Sequence, residues 1–225
     1  MHDDPTSDHP IPDGATEQPL ESVEPRDPGS RGRRYAAQTR RALVLLVALS
    51  VLVGIVYPLF ITGIGRAFFP HQAAGSLMVE NGTLVGSKLI GQPFSDPRYF
   101  WSRPSATSPF PYNADASGGS NLGPTNPALL RAISERIATL RATDPGDQAP
   151  VPIDLVTASG SGLDPDVSPA AAEYQVARVA RSRGISIDTV RALVQKYTRG
   201  RQLGFLGEPR VNVLELNLAL DALPQ

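Results

Sequence analysis

The sequence ALVLLVALSVLVGIVYPLFITGIG, residues Ala42 to Gly65, decides the fold class of this chain. Its 24 residues carry no charge, and as an α-helix with a rise of about 1.5 Å per residue they would extend roughly 36 Å. That length crosses the hydrocarbon core of a bilayer with some tilt. No other stretch of the chain combines this length with this hydropathy. The sequence therefore predicts one transmembrane helix over residues 42–65.

The charges around this segment predict its orientation. Residues 31–41 contain five arginines and no acid, whereas only Arg66 closely follows the span. Because cytoplasmic flanks carry the excess of Lys and Arg, we expect a single-pass protein of the cell membrane with a cytoplasmic N-terminus. Residues 66–225 are then an extracytoplasmic domain. A cleaved signal sequence is the alternative, but its apolar region is usually about half as long as this one.

The N-terminal region, residues 1–41, has two unlike parts. Residues 1–30 contain six prolines and carry eight acids against one base, Arg26. Such a segment cannot bury enough apolar surface to offset its chain entropy, which predicts a disordered acidic tail. The arginine-rich flank follows it directly.

Small residues and a proline interrupt the aliphatic span. Pro58 removes a backbone donor and predicts a kink near Val53–Tyr57. Small side chains allow another helix to approach closely. We therefore predict packing on a partner helix, with a plain lipid anchor as the alternative. The residues expected to contribute to this packing are Ala48, Ser50, Gly54, Tyr57 and Pro58.

The remainder of the chain predicts a small α+β domain, so the fold class is α+β with one N-terminal transmembrane helix. Asn81-Gly82 between apolar runs is typical of a β-hairpin turn, and Val151–Val156 resembles a short strand. Residues 91–126, rich in Gly, Pro, Ser and aromatics, are too long for an idle loop. Helices are expected after Asn126 and Ser168, over Ile187–Tyr197, and after Asn212, where Glu215 completes a capping-box pattern.

Composition excludes several kinds of chemistry. The chain has no cysteine and three histidines, and its formal net charge is −1. Thiol nucleophiles and cysteine metal sites are thereby excluded, and neither the charge nor the 6% aromatic content favours nucleic acid as a partner. No G-x-x-x-x-G-K-[ST] loop is present. We therefore predict no catalytic residues, no metal site and no enzymatic activity of its own.

Three features of the sequence allow either a functional or a purely structural interpretation. The loop formed by Ser159, Gly160, Ser161 and Gly162 can form an anion-binding nest, although such loops are usually turns. Asp164 and Asp166 could bind a cation, or could stabilise the start of the next helix. Three arginines nearby are interpreted as a solvated basic edge of that helix; they are Arg178, Arg181 and Arg183.

Several sequence blocks resemble one family closely. They occur in order and include GIVYPL (54–59), FPHQA (69–73), GSKLIGQ (86–92), RPSAT (103–107), ASGGSNL (116–122), DLVTAS (154–159) and GEPRVNVLELNLALD (207–221). Together they make the chain resemble the C subunit of Kdp-type potassium-transporting ATPases over residues 53–225. The acidic tail has no counterpart in many members, and Asp166 stands where histidine or asparagine is common.

The resemblance implies an accessory role in ATP-driven potassium import. The family works with a potassium-channel-like subunit, a P-type ATPase subunit and a small peptide subunit, in a complex that uses ATP, magnesium and potassium. The C subunit stabilises the assembly, and its folded domain is thought to lie over the extracytoplasmic side of the channel-like subunit. A second role ascribed to the family is that of a catalytic chaperone, which raises the ATPase subunit's affinity for ATP.

The two implied roles conflict on one point. The chaperone role comes with proposed nucleotide contact at residues 156–163, yet the predicted topology puts this loop across about 30 Å of hydrocarbon from cytoplasmic ATP. We therefore favour an indirect influence transmitted through the assembly. The alternative function is a stand-alone, membrane-anchored extracytoplasmic enzyme or binding module, with a polar cleft around the aromatic residues 94–112.

Overall fold

The predicted span is helical in the computed structural model, which describes residues 28–223. Helix α1 (Pro28–Val51), a π-helical turn (Leu52–Val56) and helix α2 (Tyr57–Phe68) follow one another directly. Within the described residues, Gly32–Phe68 is the one helical stretch long and apolar enough to cross a membrane, and its apolar window is not buried by the chain. Because α1 begins at Pro28, the arginine flank is helical. The predicted disordered tail lies outside the described residues, apart from its last three.

The π-helical turn lies where the sequence predicts a distortion. Pro58 has no N–H, and in a regular α-helix its ring would clash with the carbonyl group four residues earlier. Here the Tyr57 N–H donates to the carbonyl oxygen of Leu52, five residues back. A widened turn of this kind relieves the crowding just before the proline. This turn overlaps Val53–Tyr57, where the sequence predicts a kink, and the bend of the helix axis itself stays a prediction.

The chain divides after Ile61 into two compact units. The second unit starts at Thr62 within α2 and continues with the short helix α3 (Pro70–Ala73), strand β1 (Leu77–Glu80) and strand β2 (Thr83–Ser87). The two strands pair antiparallel around Asn81 and Gly82, whose φ angles of 49° and 78° are the positive values that a tight hairpin turn requires. The predicted hairpin is therefore confirmed.

Four longer helices follow, and each begins at a polar cap. They are α4 (Pro127–Thr143), α5 (Pro169–Arg183), α6 (Ile187–Tyr197) and α7 (Val213–Asp221). The side chains of the four preceding residues accept hydrogen bonds from main-chain N–H groups in the first turn; these residues are Asn126, Ser168, Ser186 and Asn212. Caps of this kind satisfy donors that the helix itself leaves free. The predicted helices are confirmed.

Two local predictions are modified or wrong. Glu215 does not close a capping box in the structure: its carboxylate pairs with Lys88 and Arg199. The strand predicted over Val151–Val156 is wrong, because a 3₁₀ turn occupies Ile153–Leu155. Ile153 is 74% exposed while Leu155 is buried, so this apolar run does not present one continuous buried face.

A second sheet was not predicted. It consists of β3 (Asp166–Val167), β4 (Thr198–Arg199) and β5 (Arg210–Asn212), paired antiparallel in the order β3-β5-β4. Strands of two or three residues are too short to produce a recognisable alternation of apolar and polar residues. Only the packing of the surrounding helices brings them together.

The core of this unit contains the inner faces of α5, α6 and α7, and an extended segment crosses it. Phe100, in that segment, is fully buried, yet residues 94–112 form no strand. The Asn217 side chain accepts from the Phe100 N–H at 2.9 Å and donates to the Phe100 carbonyl oxygen at 3.0 Å. Gln175 does the same for Trp101, at 2.7 and 3.2 Å. Two side-chain amides thus replace the hydrogen bonds that a neighbouring strand would supply.

Arg178 completes this arrangement, and its predicted solvent exposure is wrong. Its side chain is only 4% exposed, and its guanidinium lies 4.7 Å from the centroid of the Trp101 ring. It donates to the carbonyl oxygens of Pro97 and Tyr99 at 2.6 and 3.1 Å and to Oε1 of Gln175 at 2.7 Å. Burial lowers the pKa of Arg178 to about 10, so the group remains charged at neutral pH.

The other two arginines of the predicted basic edge are also paired. Arg181 has a side chain that is 62% exposed and lies 2.8 Å from Asp144. Arg183 lies 2.7 Å from Asp221 and is mostly buried. The three side chains therefore have different environments and do not form one solvated surface.

The structure predicts a large difference between two arginines on neighbouring helices. Arg178→Ala removes a charged donor from two main-chain carbonyl groups, and we expect it to lower the free energy of unfolding by about 3 kcal/mol. Arg191→Ala on α6, the control, breaks only the exposed ion pairs with Glu173 and Asp188 and should cost less than about 1 kcal/mol. Denaturant titration of the detergent-solubilised chain, followed by fluorescence of its single tryptophan, Trp101, measures both. Equal losses for the two variants would contradict this role of Arg178.

Candidate interaction surfaces

The five residues predicted to pack on a partner helix do not all share one side of the helix. Ser50, Gly54 and Pro58 recur at intervals of four residues and therefore lie on the same side. Ala48 precedes Ser50 by two residues, and residues at that spacing face different directions. Tyr57 follows Gly54 by three residues and Ser50 by seven, so it lies on this side as well, and it is 59% exposed. The structure thus brings four of the five together, and Ala48 is the exception.

Gly54 is the most open position on this side. It lies within the π-helical turn, and a Cβ atom built on it would have no heavy atom of the chain within 4 Å. Ser50 and Pro58 are exposed as well. Within the described residues, this side of the helix presents a shallow depression that a neighbouring helix can approach closely.

The loop Ser159–Gly162 packs against a second loop, residues 117–119. The carbonyl oxygen of Ser161 accepts from the Gly118 N–H at 2.9 Å and from the Ser117 hydroxyl at 3.1 Å. The carbonyl oxygen of Gly162 accepts from the Ser105 hydroxyl at 2.7 Å. The loop therefore offers its carbonyl groups to the preceding segment of the chain.

The N–H groups at the end of this loop are used internally. Gly162 donates to the carbonyl oxygen of Ser159 at 3.3 Å, and Leu163 donates to the Ser161 hydroxyl at 3.1 Å. An anion nest instead requires successive N–H groups that point at the ligand. Gly160 and Ser161 are exposed, and anion binding at this loop stays a prediction.

Gly162 is the residue of this loop that depends most on being glycine. Its φ angle is +68°, and a Cβ atom there would lie 2.6 Å from Cγ2 of Thr107 and 2.7 Å from the carbonyl oxygen of Gly118. Gly160, two residues earlier, has nothing within 4 Å of such an atom. The close approach of the two loops therefore requires glycine at 162.

This contrast makes a second prediction. Gly162→Ala combines a positive φ with a steric clash, and we expect it to destabilise the chain by about 2 kcal/mol. Gly160→Ala adds the same methyl group into open space and should change stability by less than about 0.5 kcal/mol. The same titration of Trp101 fluorescence measures both. If both variants unfolded at the same denaturant concentration, the close approach of the two loops would make no measurable contribution to stability.

Asp164 and Asp166 are held apart by different arginines. Asp164 Oδ2 lies 3.0 Å from Nη1 of Arg103. Asp166 Oδ2 lies 3.0 Å from Nε of Arg210, and its other oxygen accepts from the Asn212 amide at 3.1 Å. Burial raises the pKa of the Asp166 carboxyl group, with the proximity of Asp164 acting in the same direction. Among residues 28–223, no group of three or more His, Cys, Asp or Glu residues is arranged to hold a metal ion.

Some residues that organise the domain were missed by sequence reasoning. Gln175 and Asn217 are 1% and 2% exposed. Their positions in the sequence could have revealed them. Gln175 lies on α5 and Asn217 on α7, each among apolar residues that the helical period assigns to the core. A polar residue there indicates a buried hydrogen-bond partner.

Comparison with known proteins identifies the family. Residues 39–222 match the family model for KdpC, described as "K+-transporting ATPase, c chain". A protein of Methylococcus capsulatus named "Potassium-transporting ATPase KdpC subunit" is 64% identical over 182 residues, which is 81% of this chain and 96% of that protein. Proteins with the same name from Variovorax paradoxus and Sorangium cellulosum are 66% and 65% identical, over 81% and 82% of this chain and 95% and 97% of theirs.

These matches agree with the sequence blocks identified above. The family model begins three residues before the predicted span and ends at residue 222, one residue after the end of α7. The acidic residues 1–38 precede the match. The chain therefore belongs to the KdpC family.

Proposed function

We propose that this chain is an accessory subunit of an ATP-driven potassium import pump and has no catalytic centre of its own. The observation that carries the proposal is the high identity to KdpC subunits of potassium-transporting ATPases over nearly their whole length. The chain's partners are then the potassium-channel-like subunit, the P-type ATPase subunit and the small peptide subunit of such a pump. ATP and magnesium act at the ATPase subunit, and potassium is the transported ion.

The single helix supports a role in assembly. Its apolar window is unburied within the chain, and the side that carries Ser50, Gly54 and Pro58 allows a neighbouring helix to approach closely. Helix association in a bilayer depends on such close packing, since lipid tails are as apolar as the side chains. This side of the helix therefore contacts another subunit, while the remainder faces lipid.

The stand-alone alternative has less support. A binding module around residues 94–112 would need its aromatic side chains to line an open cleft. Phe100 instead is fully buried in the core, and Phe94 and Trp101 pack against it. The polar groups of this segment are engaged by Gln175 and Asn217. The segment is thus better suited to stabilising the fold than to binding a ligand.

Co-purification tests the assembly role. An affinity-tagged chain, extracted from the membranes of its host in mild detergent, should bring with it a P-type ATPase subunit and a channel-like subunit. Loss of the chain should lower potassium-dependent ATPase activity of those membranes and growth at low external potassium. Recovery of the correctly inserted chain alone would contradict the proposed function.

The helix surface can be tested in the same preparation. Gly54→Leu fills the depression between Ser50 and Pro58, and we expect recovery of the partner subunits to fall roughly tenfold. Ala48→Leu places the same side chain on a different side of the helix and should have little effect. If both variants retain the partners as well as the wild type does, this side does not pack on another subunit.

We further propose that residues 66–225 are extracytoplasmic. Five arginines precede the span and one follows it closely, and this asymmetry keeps the N-terminus in the cytoplasm. With this topology the loop Ser159–Gly162 cannot touch cytoplasmic ATP. Any effect of the chain on the ATP affinity of the ATPase subunit then passes through contacts between subunits.

A single cysteine tests this topology, because the chain has none. Ser120 is exposed in the structure, and Ser120→Cys should react with a membrane-impermeant maleimide in intact cells. Arg40→Cys, on the other side of the span, should react only after lysis. The reverse pattern would place the folded domain in the cytoplasm and would make direct ATP contact at residues 159–162 the hypothesis to pursue.

A further inference from the structure

A cleft of about 580 Å³ opens between the β1–β2 hairpin and the two last long helices, α6 and α7. Its floor is apolar and consists of Leu218, Ala219 and Ala222 of α7, with Met78 of β1 as the opposite wall. The two alanines have small side chains that keep the floor low, and the cleft is shallow and open to solvent. A volume of this size falls within the range of about 300–1,000 Å³ that is typical of ligand pockets.

Positive charge borders this apolar floor. Lys196 and Arg199 line the cleft together with Glu215. Both carboxylate oxygens of Glu215 are already used: Oε1 lies 2.7 Å from Nζ of Lys88, and Oε2 lies 2.6 Å from Nη2 of Arg199. One acid therefore faces three bases, and the local excess is two positive charges.

Of these three bases, Lys196 is the one whose ammonium group remains available to pair with a carboxylate of another protein. No carboxylate of residues 28–223 lies within ion-pair distance of it, and its ammonium group instead lies 5.9 Å from the centroid of the Tyr197 ring. Its side chain extends from the last turn of α6 at the rim of the cleft. Arg199 is 45% exposed and retains N–H groups beyond the one that contacts Glu215.

We propose that this cleft binds a polypeptide segment of a partner subunit in which an acidic side chain adjoins apolar ones. The apolar side chains fill the space over Leu218, Ala219 and Ala222, and the carboxylate pairs with Lys196 and Arg199. The charge complementarity fixes the register of the segment and disfavours segments that place a basic side chain there. The inference rests on the proposed function, since it assumes a partner subunit.

The shape and charge of the surface favour a polypeptide over a lipid surface. Membrane-surface sites present protruding apolar side chains and clusters of about four to eight basic residues. Here the floor consists mainly of small side chains that do not protrude, and residues 66–225 as a whole carry 15 basic and 14 acidic residues. A shallow apolar floor with a small local excess of positive charge instead matches a single acidic side chain on a protein segment.

Charge reversal at the rim tests the proposal. Lys196→Glu places a negative charge where the partner's carboxylate is expected, and recovery of the partner subunits at low ionic strength, where screening is weak, should fall roughly tenfold. Arg131→Glu is the matched control, because Arg131 is exposed on α4, does not line the cleft and makes the same change of charge. Equal recovery with both variants, while the wild type co-purifies, would overturn the proposal. Failure of the wild type to co-purify would instead contradict the proposed function.

Cross-linking identifies what occupies the cleft. Ala222→Cys, labelled with a photoactivatable maleimide in the assembled complex, should cross-link to a partner segment that contains an acidic residue beside apolar ones. Changing that acidic residue to lysine should then restore the recovery lost in Lys196→Glu, which a purely structural effect of the substitution would not do. Cross-links to lipid, to a basic segment or to no protein at all in the assembled complex would each overturn the proposal.

Discussion

The folded unit depends on one interaction, the capture of an extended main chain by three side chains of two helices. Asn217 of α7 and Gln175 of α5 hydrogen-bond both main-chain groups of Phe100 and Trp101, and Arg178 binds two further carbonyl groups. Without these partners a buried, strandless segment would leave its polar groups unsatisfied, at a cost of about 1–3 kcal/mol for each group. These hydrogen bonds allow the Phe100 side chain to be buried in the core without leaving its main-chain groups unsatisfied.

This arrangement also fixes the outer surfaces. Because α5 and α7 use their inner polar residues on the captured segment, α7 can direct Ala219 and Ala222 outward, towards the hairpin. The second sheet then joins the loops at the ends of these helices, and its strand β5 leads directly into the cap of α7 at Asn212. A domain of modest size thus combines a hydrogen-bonded interior with an open cleft between the hairpin, α6 and α7.

Several elements were predictable because their signals are local. The apolar run 42–65, the Asn81-Gly82 turn and the caps at Asn126 and Ser168 each depend on a few neighbouring residues, and all appear in the structure. The family, too, could be identified from sequence blocks. Arg178 could not be placed correctly, because an arginine between two others on a helix indicates a solvated surface unless its partners, which lie about 80 residues away in the chain, are known.

The sequence by itself determined the membrane span, the α+β class and the starts of the helices, since propensity, hydropathy and capping act over a few residues. It also identified the residues of this helix that are expected to pack on a partner helix, from the small side chains and the proline that interrupt the aliphatic run. Only the tertiary structure decided that Ser161 and Gly162 give their carbonyl groups to another loop, that Arg178 is buried under Trp101, and that Lys196 borders an apolar cleft. These features come from contacts between segments far apart in the chain, where shape and hydrogen-bond geometry, rather than local pattern, decide which groups meet.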